Sequence, residues 1–202
     1  MRVHVTAFVL TCVALLPVAA MAQMLEGPSL VAALRSGGHV IVMRHASSPG
    51  QPPGPAAANP DNMTHERQLD AAGRAAAGAM GEALRRLRIP IGDVVTSPAY
   101  RARETARHAG LEKSRVDDRL GDGGQSMKRA DDTQAAWLRR EAGASPRAAT
   151  NSIIVTHQPN IAGAFPEAAN VAEGEALVFR PDGKGGARLV ARVPVATWAT
   201  LD

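Results

Sequence analysis

The chain of 202 residues contains one cysteine, Cys12, and aromatic residues make up only 3% of it. A single cysteine excludes an intramolecular disulfide and a thiolate metal site. Scarce aromatics, with no basic run interleaved among them, argue against a surface that stacks nucleic-acid bases. No apolar run has the roughly 20 residues of a membrane span. Charge is nearly balanced, with 23 Lys+Arg against 19 Asp+Glu. Arginine supplies most of the basic side, which suits small anionic substrates better than a polyanionic partner.

Residues 1–22 read as a unit of their own. Arg2 gives a positive start, Val5 to Pro17 is mostly apolar, and Ala20-Met21-Ala22 ends the segment with small residues. This pattern predicts a secretory signal peptide cleaved after Ala22. The expected mature protein is one domain over residues 23–202, periplasmic or secreted, with no stable membrane insertion after cleavage. Cys12 leaves with the signal, so the hydrophobic core alone must hold the fold.

Beyond that segment, strand-like and helix-like stretches alternate, with no internal repeat. This predicts an α/β fold, a three-layer sandwich with a mostly parallel central sheet and helices on both faces. A short helix is expected over Ser29–Arg35, opened by its serine. The first strand is Val40–Met43. Ser47 to Met63 is a loop rich in Pro, Gly and Ala. Asp70 reads as the cap of a helix over Ala71–Leu87. A second strand, Asp93–Thr96, and a helix, Arg101–Ala109, follow. Arg115–Asp118 reads as a short strand and Asp131–Glu141 as a helix with Trp137 and Leu138 inward. Ser152–Thr156 is continuous in Ile and Val, as expected of a central strand covered on both faces. Ala176–Phe179 and Arg188–Val193 read as a closing hairpin, and Val195–Leu201 as a last short helix.

Three strand ends carry candidate chemistry. The first ends in Arg44-His45, the second in Thr96-Ser97-Pro98 with Arg101 just beyond, and the third in Thr156-His157. Ligands gather at the carboxyl ends of strands in open parallel sheets. If the three strands are neighbours, two histidines and two arginines converge there. A neutral imidazole can attack a phosphoryl group while guanidiniums hold its oxygens. The arginines would supply the positive charge, so the chemistry calls for no metal and no cofactor. His39, His65 and His108 show no ligand spacing that would add one.

These blocks resemble the histidine phosphatase superfamily, which includes cofactor-dependent phosphoglycerate mutases, bacterial phosphohistidine phosphatases and acid phosphatases. Met43-Arg44-His45-Ala46 is similar to the family's Arg-His-Gly motif, with Ala46 in place of glycine. Ser97 to Ala106 matches its Ser-x-x-x-Arg-Ala-x-x-Thr-Ala stretch, and Ile154 to His157 its second histidine block. Leu69 to Gly73 resembles the opening of the intervening helix. The resemblance covers roughly residues 38–180 and implies a phosphoglycerate mutase-like fold. It implies that His45 is the nucleophile that becomes phosphorylated, with Arg44, Arg101 and His157 completing the phosphate pocket. Where the family often has a glutamate proton donor, Leu120-Gly121-Asp122 offers Asp122, one methylene shorter; Asp117, Asp118, Asp131 and Asp132 compete for the role.

Other residues carry weaker signals. Arg67 is placed to reach a substrate from the long loop or simply to be solvated. Gln158 and Asn160 read as caps of the following helix, with donation to a substrate as the alternative. Glu173 and Glu175 read as structural. The expected activity is that of a histidine acid phosphatase-type phosphoric monoester hydrolase. Its substrate would be a small phosphorylated molecule or a phosphorylated envelope component, not nucleic acid. Transfer to an acceptor other than water, as in a mutase, and a non-catalytic phosphate-binding module remain alternatives.

Overall fold

The computed structural model describes residues 24–48, 67–122 and 131–202. The expected signal peptide, most of the loop from Ser47 to Met63 and part of the stretch beyond Asp122 lie outside the described residues. Six strands form one sheet: β1 (Val40–Arg44), β2 (Ile91–Thr96), β3 (Arg115–Val116), β4 (Asn151–Thr156), β5 (Ala176–Pro181) and β6 (Ala187–Val193). Their order is β3-β2-β4-β1-β5-β6. The first four are parallel, and β5 and β6 return antiparallel as the expected closing hairpin. β1 and β4 are therefore central, and their apolar runs follow from cover on both faces.

Alternation along the strands builds the two cores. Ile41, Met43, Ile153 and Val155 face one layer, which holds α1 (Gly27–Ser36), α2 (Ala71–Arg86), α3 (Tyr100–His108) and α6 (Thr197–Thr200). Val40, Val42, Ile154 and Leu177 face the other, which holds α4 (Asp132–Ala142) and α5 (Gln158–Ala164). Trp137 and Leu138 of α4 are buried in that second core, as their helical positions suggested.

Local signals explain most element starts. Asp70 caps α2 by accepting from the Gly73 amide at 2.6 Å. Asp131 caps α4 and its amide is met by Gln134, a reciprocal box. The opening of α1 differs from expectation. The helix starts at Gly27 with Glu26 at the cap position, and Ser29 sits inside the first turn. Ser29 still serves the helix end, because its hydroxyl oxygen accepts from the Glu26 amide at 3.2 Å. Among the described residues no helix is long and apolar enough to cross a membrane.

Candidate active site

The topology does what the strand-end reading required. β2, β4 and β1 lie side by side and parallel, so Thr96, Thr156 and Arg44 end at one edge of the sheet. His45, Arg101 and His157 meet there, and each is almost fully buried. The imidazole rings of His45 and His157 lie 5.3 Å apart.

Backbone anchors hold His45 on both sides. Its own amide donates to the Thr156 carbonyl at 2.9 Å, and its carbonyl accepts from the Gly174 amide at 2.9 Å. The next amide, Ala46, donates to Thr105 Oγ1 at 3.0 Å, and that hydroxyl donates to the Arg101 carbonyl at 2.8 Å. Thr105 thus ties the first turn of α3 to the residue after the candidate nucleophile. Two residues further on, Ser47 donates to Asp70 at 2.9 Å and its carbonyl accepts from the Asp70 amide. The α2 cap and the His45 loop are one hydrogen-bonded unit.

The hydrogen bonds fix the protonation pattern of both rings. A guanidinium can only donate. Arg101 Nε lies 3.2 Å from His45 Nε2, so Nε2 carries a lone pair. His45 Nδ1 carries the proton and donates to the Ala46 carbonyl at 2.8 Å. His157 Nδ1 likewise accepts from Arg101 Nη2 at 3.0 Å. Its Nε2 therefore carries the proton and donates to Ser97 Oγ at 2.7 Å. Burial first, then the nearby His157, Arg101 and Arg44, holds His45 well below the usual imidazole range. Burial, then Arg101, Arg67 and Arg44, does the same for His157. Both rings are neutral near pH 7, which leaves His45 Nε2 nucleophilic.

The remaining sequence candidates also gather here, with altered company. Arg44 donates to the Val171 carbonyl at 3.1 Å and pairs with Glu173 at 3.0 Å. Arg67 donates to the Ser48 carbonyl and lies 3.7 Å from the same Glu173 oxygen. After burial and Arg101, the charges of Arg67 and Arg44 also help to hold the His157 ring low. Asp122 is buried and pairs with Arg101, and its carboxylate lies 3.6 Å from His157 Nδ1. In that arrangement Asp122 is an acceptor for Arg101 rather than a group presenting a proton. Asp117, a competing acid, accepts from Arg119 and Arg115 instead. Asp131 caps α4.

Four contributors escaped the residue-by-residue reading. Glu173, read as structural, bridges Arg44 and Arg67. Ser97 and Thr105 lie inside the second motif, which gave the signal, but nothing in the sequence assigned them partners. Asn160 is no simple cap. Its amide donates to the Leu120 carbonyl at 2.7 Å and Thr156 Oγ1 at 2.9 Å, bracing the turn that carries Asp122. Gln158 donates to the Ala169 carbonyl.

Counting charges, three arginines face two carboxylates and two neutral histidines, a net excess of one positive charge. Among the described residues no group of three or more His, Cys, Asp or Glu is placed to hold a metal ion. The pocket is built to receive a compact anion next to a nucleophilic nitrogen.

The family model of the histidine phosphatase superfamily (branch 1) matches residues 40–147. The chain belongs to that superfamily. Solved structures agree on the fold. The protein histidine phosphatase SixA complexed with tungstate is 16% identical, with a TM-score of 0.55 over 79% of this chain and 98% of that one. Phosphoserine phosphatase from Entamoeba histolytica is 12% identical, with a TM-score of 0.52 over 78% and 97%. Mycobacterial glucosyl-3-phosphoglycerate phosphatase is 18% identical, with a TM-score of 0.52 over 77% and 99%. No curated protein sequence matches the chain.

Proposed function

We propose that the protein is an exported, metal-independent phosphatase that hydrolyses phosphomonoesters through a phosphohistidine on His45. The observation that carries this reading is the His45 Nε2 lone pair, held 3.2 Å from Arg101 in a ring whose other nitrogen is already satisfied. A phosphoryl group entering between them receives Nε2 at phosphorus while Arg101, Arg44 and Arg67 take its oxygens. The N–P bond forms as the bond to the leaving oxygen breaks, and the leaving group departs with the electron pair and gains a proton. Water then attacks phosphorus, loses a proton, and releases inorganic phosphate and free His45. The arginines carry the charge stabilisation that a metal supplies elsewhere.

The engagement of Asp122 with Arg101 bears on the first step. Among the described residues, Asp122 is held by Arg101 and Glu173 by Arg44, an arrangement suited to leaving groups that part easily, such as phenols or an imidazole. Asp122 becomes a donor only if the arriving phosphoryl group takes Arg101 from it. Among the similar structures are a protein histidine phosphatase and two proteins named as phosphohistidine phosphatases, and the substrate those names give has an imidazole leaving group. Residues 1–22 support action in the periplasm or outside the cell, on a small phosphorylated molecule or a phosphorylated envelope component.

The same Asp122–Arg101 pair also favours a second reading, a phosphate-binding module without turnover. One experiment separates the two. Residues 23–202 are assayed with an aryl phosphate, with and without EDTA, beside His45→Ala. EDTA-insensitive turnover with a trapped acid-labile phosphoenzyme, both lost in the variant, supports the phosphatase. Phosphate binding without turnover overturns it.

A further inference from the structure

A second positively charged cavity lies at the opposite end of β1. It measures about 500 Å³, within the range of small-molecule sites. His39, Arg180 and Arg188 line it together with Leu25, Ala33 and Val190, and no carboxylate does. His39 is 6% exposed and donates from Nδ1 to the Gly37 carbonyl at 3.0 Å. Its ring is therefore fixed at the cavity wall.

The two arginines carry the stronger signal. Arg180 and Arg188 are direct partners across β5 and β6, so their side chains share one face. Like charges opposed in this way destabilise a sheet. Among the described residues neither has a hydrogen-bond or ion-pair partner that would offset the repulsion. Arg180 also reaches His39 electrostatically. After burial, its charge is one of the causes that hold the His39 ring below its usual range. Three cationic or potentially cationic groups thus converge without an acid.

We propose that this cavity binds a small organic anion, with a phosphoryl or carboxyl head between Arg180 and Arg188 and a compact apolar body against Leu25, Ala33 and Val190. The site is separate from the catalytic pocket. His39 and His45 flank β1 at its two ends, about 20 Å apart at roughly 3.3 Å per residue. One small substrate cannot bridge them.

The test uses ¹⁵N-histidine-labelled protein titrated with phenylphosphonate, a non-hydrolysable anion with an apolar ring. His39 signals report the cavity, while His45 and His157 signals report the catalytic pocket. Saturable His39 shifts are expected, with their own dissociation constant. Arg180→Ser with Arg188→Ser should weaken that constant at least about tenfold and leave the His45 and His157 response intact. Inorganic phosphate should bind His39's cavity more weakly than phenylphosphonate if the apolar wall contributes. No His39 response up to about 10 mM probe, a range that covers weak binding, overturns the proposal. So does a response unchanged in the double variant, provided its melting curve shows it folded.

Discussion

Arg101 Nε lies 3.2 Å from His45 Nε2 while Nη2 of the same guanidinium reaches both His157 Nδ1 and Asp122. One side chain therefore sets the lone pairs of two histidines at once. A lysine offers a single point charge and cannot span these three acceptors. Arg101→Lys should thus fail almost as badly as Arg101→Ala. Each should lower kcat/KM for an aryl phosphate by about 100-fold to 1000-fold, as removal of a buried charge-stabilising donor does. Steady-state kinetics check this, and a lysine variant near wild-type activity would refute the fork argument.

Ser97 acts one step further out, through His157. Its oxygen takes the Nε2 proton of His157 at 2.7 Å and also accepts from the Ala99 amide at 3.2 Å. Ser97→Ala should free His157 to change tautomer or tilt. Activity should fall about 10-fold to 100-fold, the usual cost of losing a partner that orients a functional histidine. Nitrogen chemical shifts of His157 should show Nε2–H in the wild type and a mixture in the variant, a change that simple loss of packing would not produce.

Asp122 is tested by charge rather than by shape. Asp122→Asn keeps the side-chain volume and removes one negative charge from a pocket with an excess of one positive. Inorganic phosphate should bind more tightly to the variant. Thermal stability should fall, because breaking a buried pair leaves Arg101 uncompensated, at a cost of about 3–5 kcal/mol. Added phosphate should restore much of the melting temperature by mass action. An aryl phosphate should remain a substrate. If turnover of the aryl ester is instead abolished with phosphate affinity unchanged, Asp122 is the proton donor and the acceptor role is wrong.

The sequence was legible where pattern and period coincide. Val40–Met43 and Ser152–Thr156 read as buried strands because both faces are apolar, and they are the sheet's centre. Asp70 read as a cap because an acid before an alanine-rich helix has little else to do. Arg44, His45, Arg101 and His157 read as a site because three strand ends carried them. The partners of those residues were not legible. Glu173 is separated from Arg44 by 129 positions, and nothing local distinguishes a carboxylate that bridges two arginines from one on the surface. The company of Asp122 was hidden for the same reason. Its position along the chain fits a donor, but only the fold shows that Arg101 already holds it.

Gly73 offers a test of how α2 supports the site. A Cβ built there would lie 2.2 Å from the Ser47 carbonyl oxygen, a contact that backbone must move to relieve. Ser47 follows His45 by two residues. Gly73→Ala should cost about 1–3 kcal/mol, as overpacking does, and should also lower kcat by shifting the His45 loop. Gly81→Ala is the control. Its Cβ would meet the Ala109 carbonyl oxygen at 2.0 Å, at the far end of α3, so it should destabilise without the specific loss of kcat. Denaturant melts and kinetics at a temperature where both variants are folded separate the two effects.

The buried histidines predict how stability follows pH. His39, His45 and His157 are all held below the ordinary imidazole range, chiefly by burial. Below about pH 6.5 the unfolded chain takes up protons that the folded chain refuses. Their contribution to stability is therefore fully present above pH 6.5 and is lost as pH falls towards the folded values. The slope approaches about 1.4 kcal/mol per pH unit for each histidine. Carboxylates with depressed ranges, such as Asp117 beside Arg119 and Arg115, add a second loss only below about pH 4. Denaturant unfolding at pH 7.5 and 5.5 should show the first loss clearly, and His157→Asn should flatten the slope by about one histidine's share. Activity should outlast the change in an ordinary imidazole, with the acid limb of kcat/KM displaced below pH 6.5, because His45 stays neutral. An acid limb at or above that pH would mean that His45 is not the neutral nucleophile that its contacts with Arg101 and Ala46 describe.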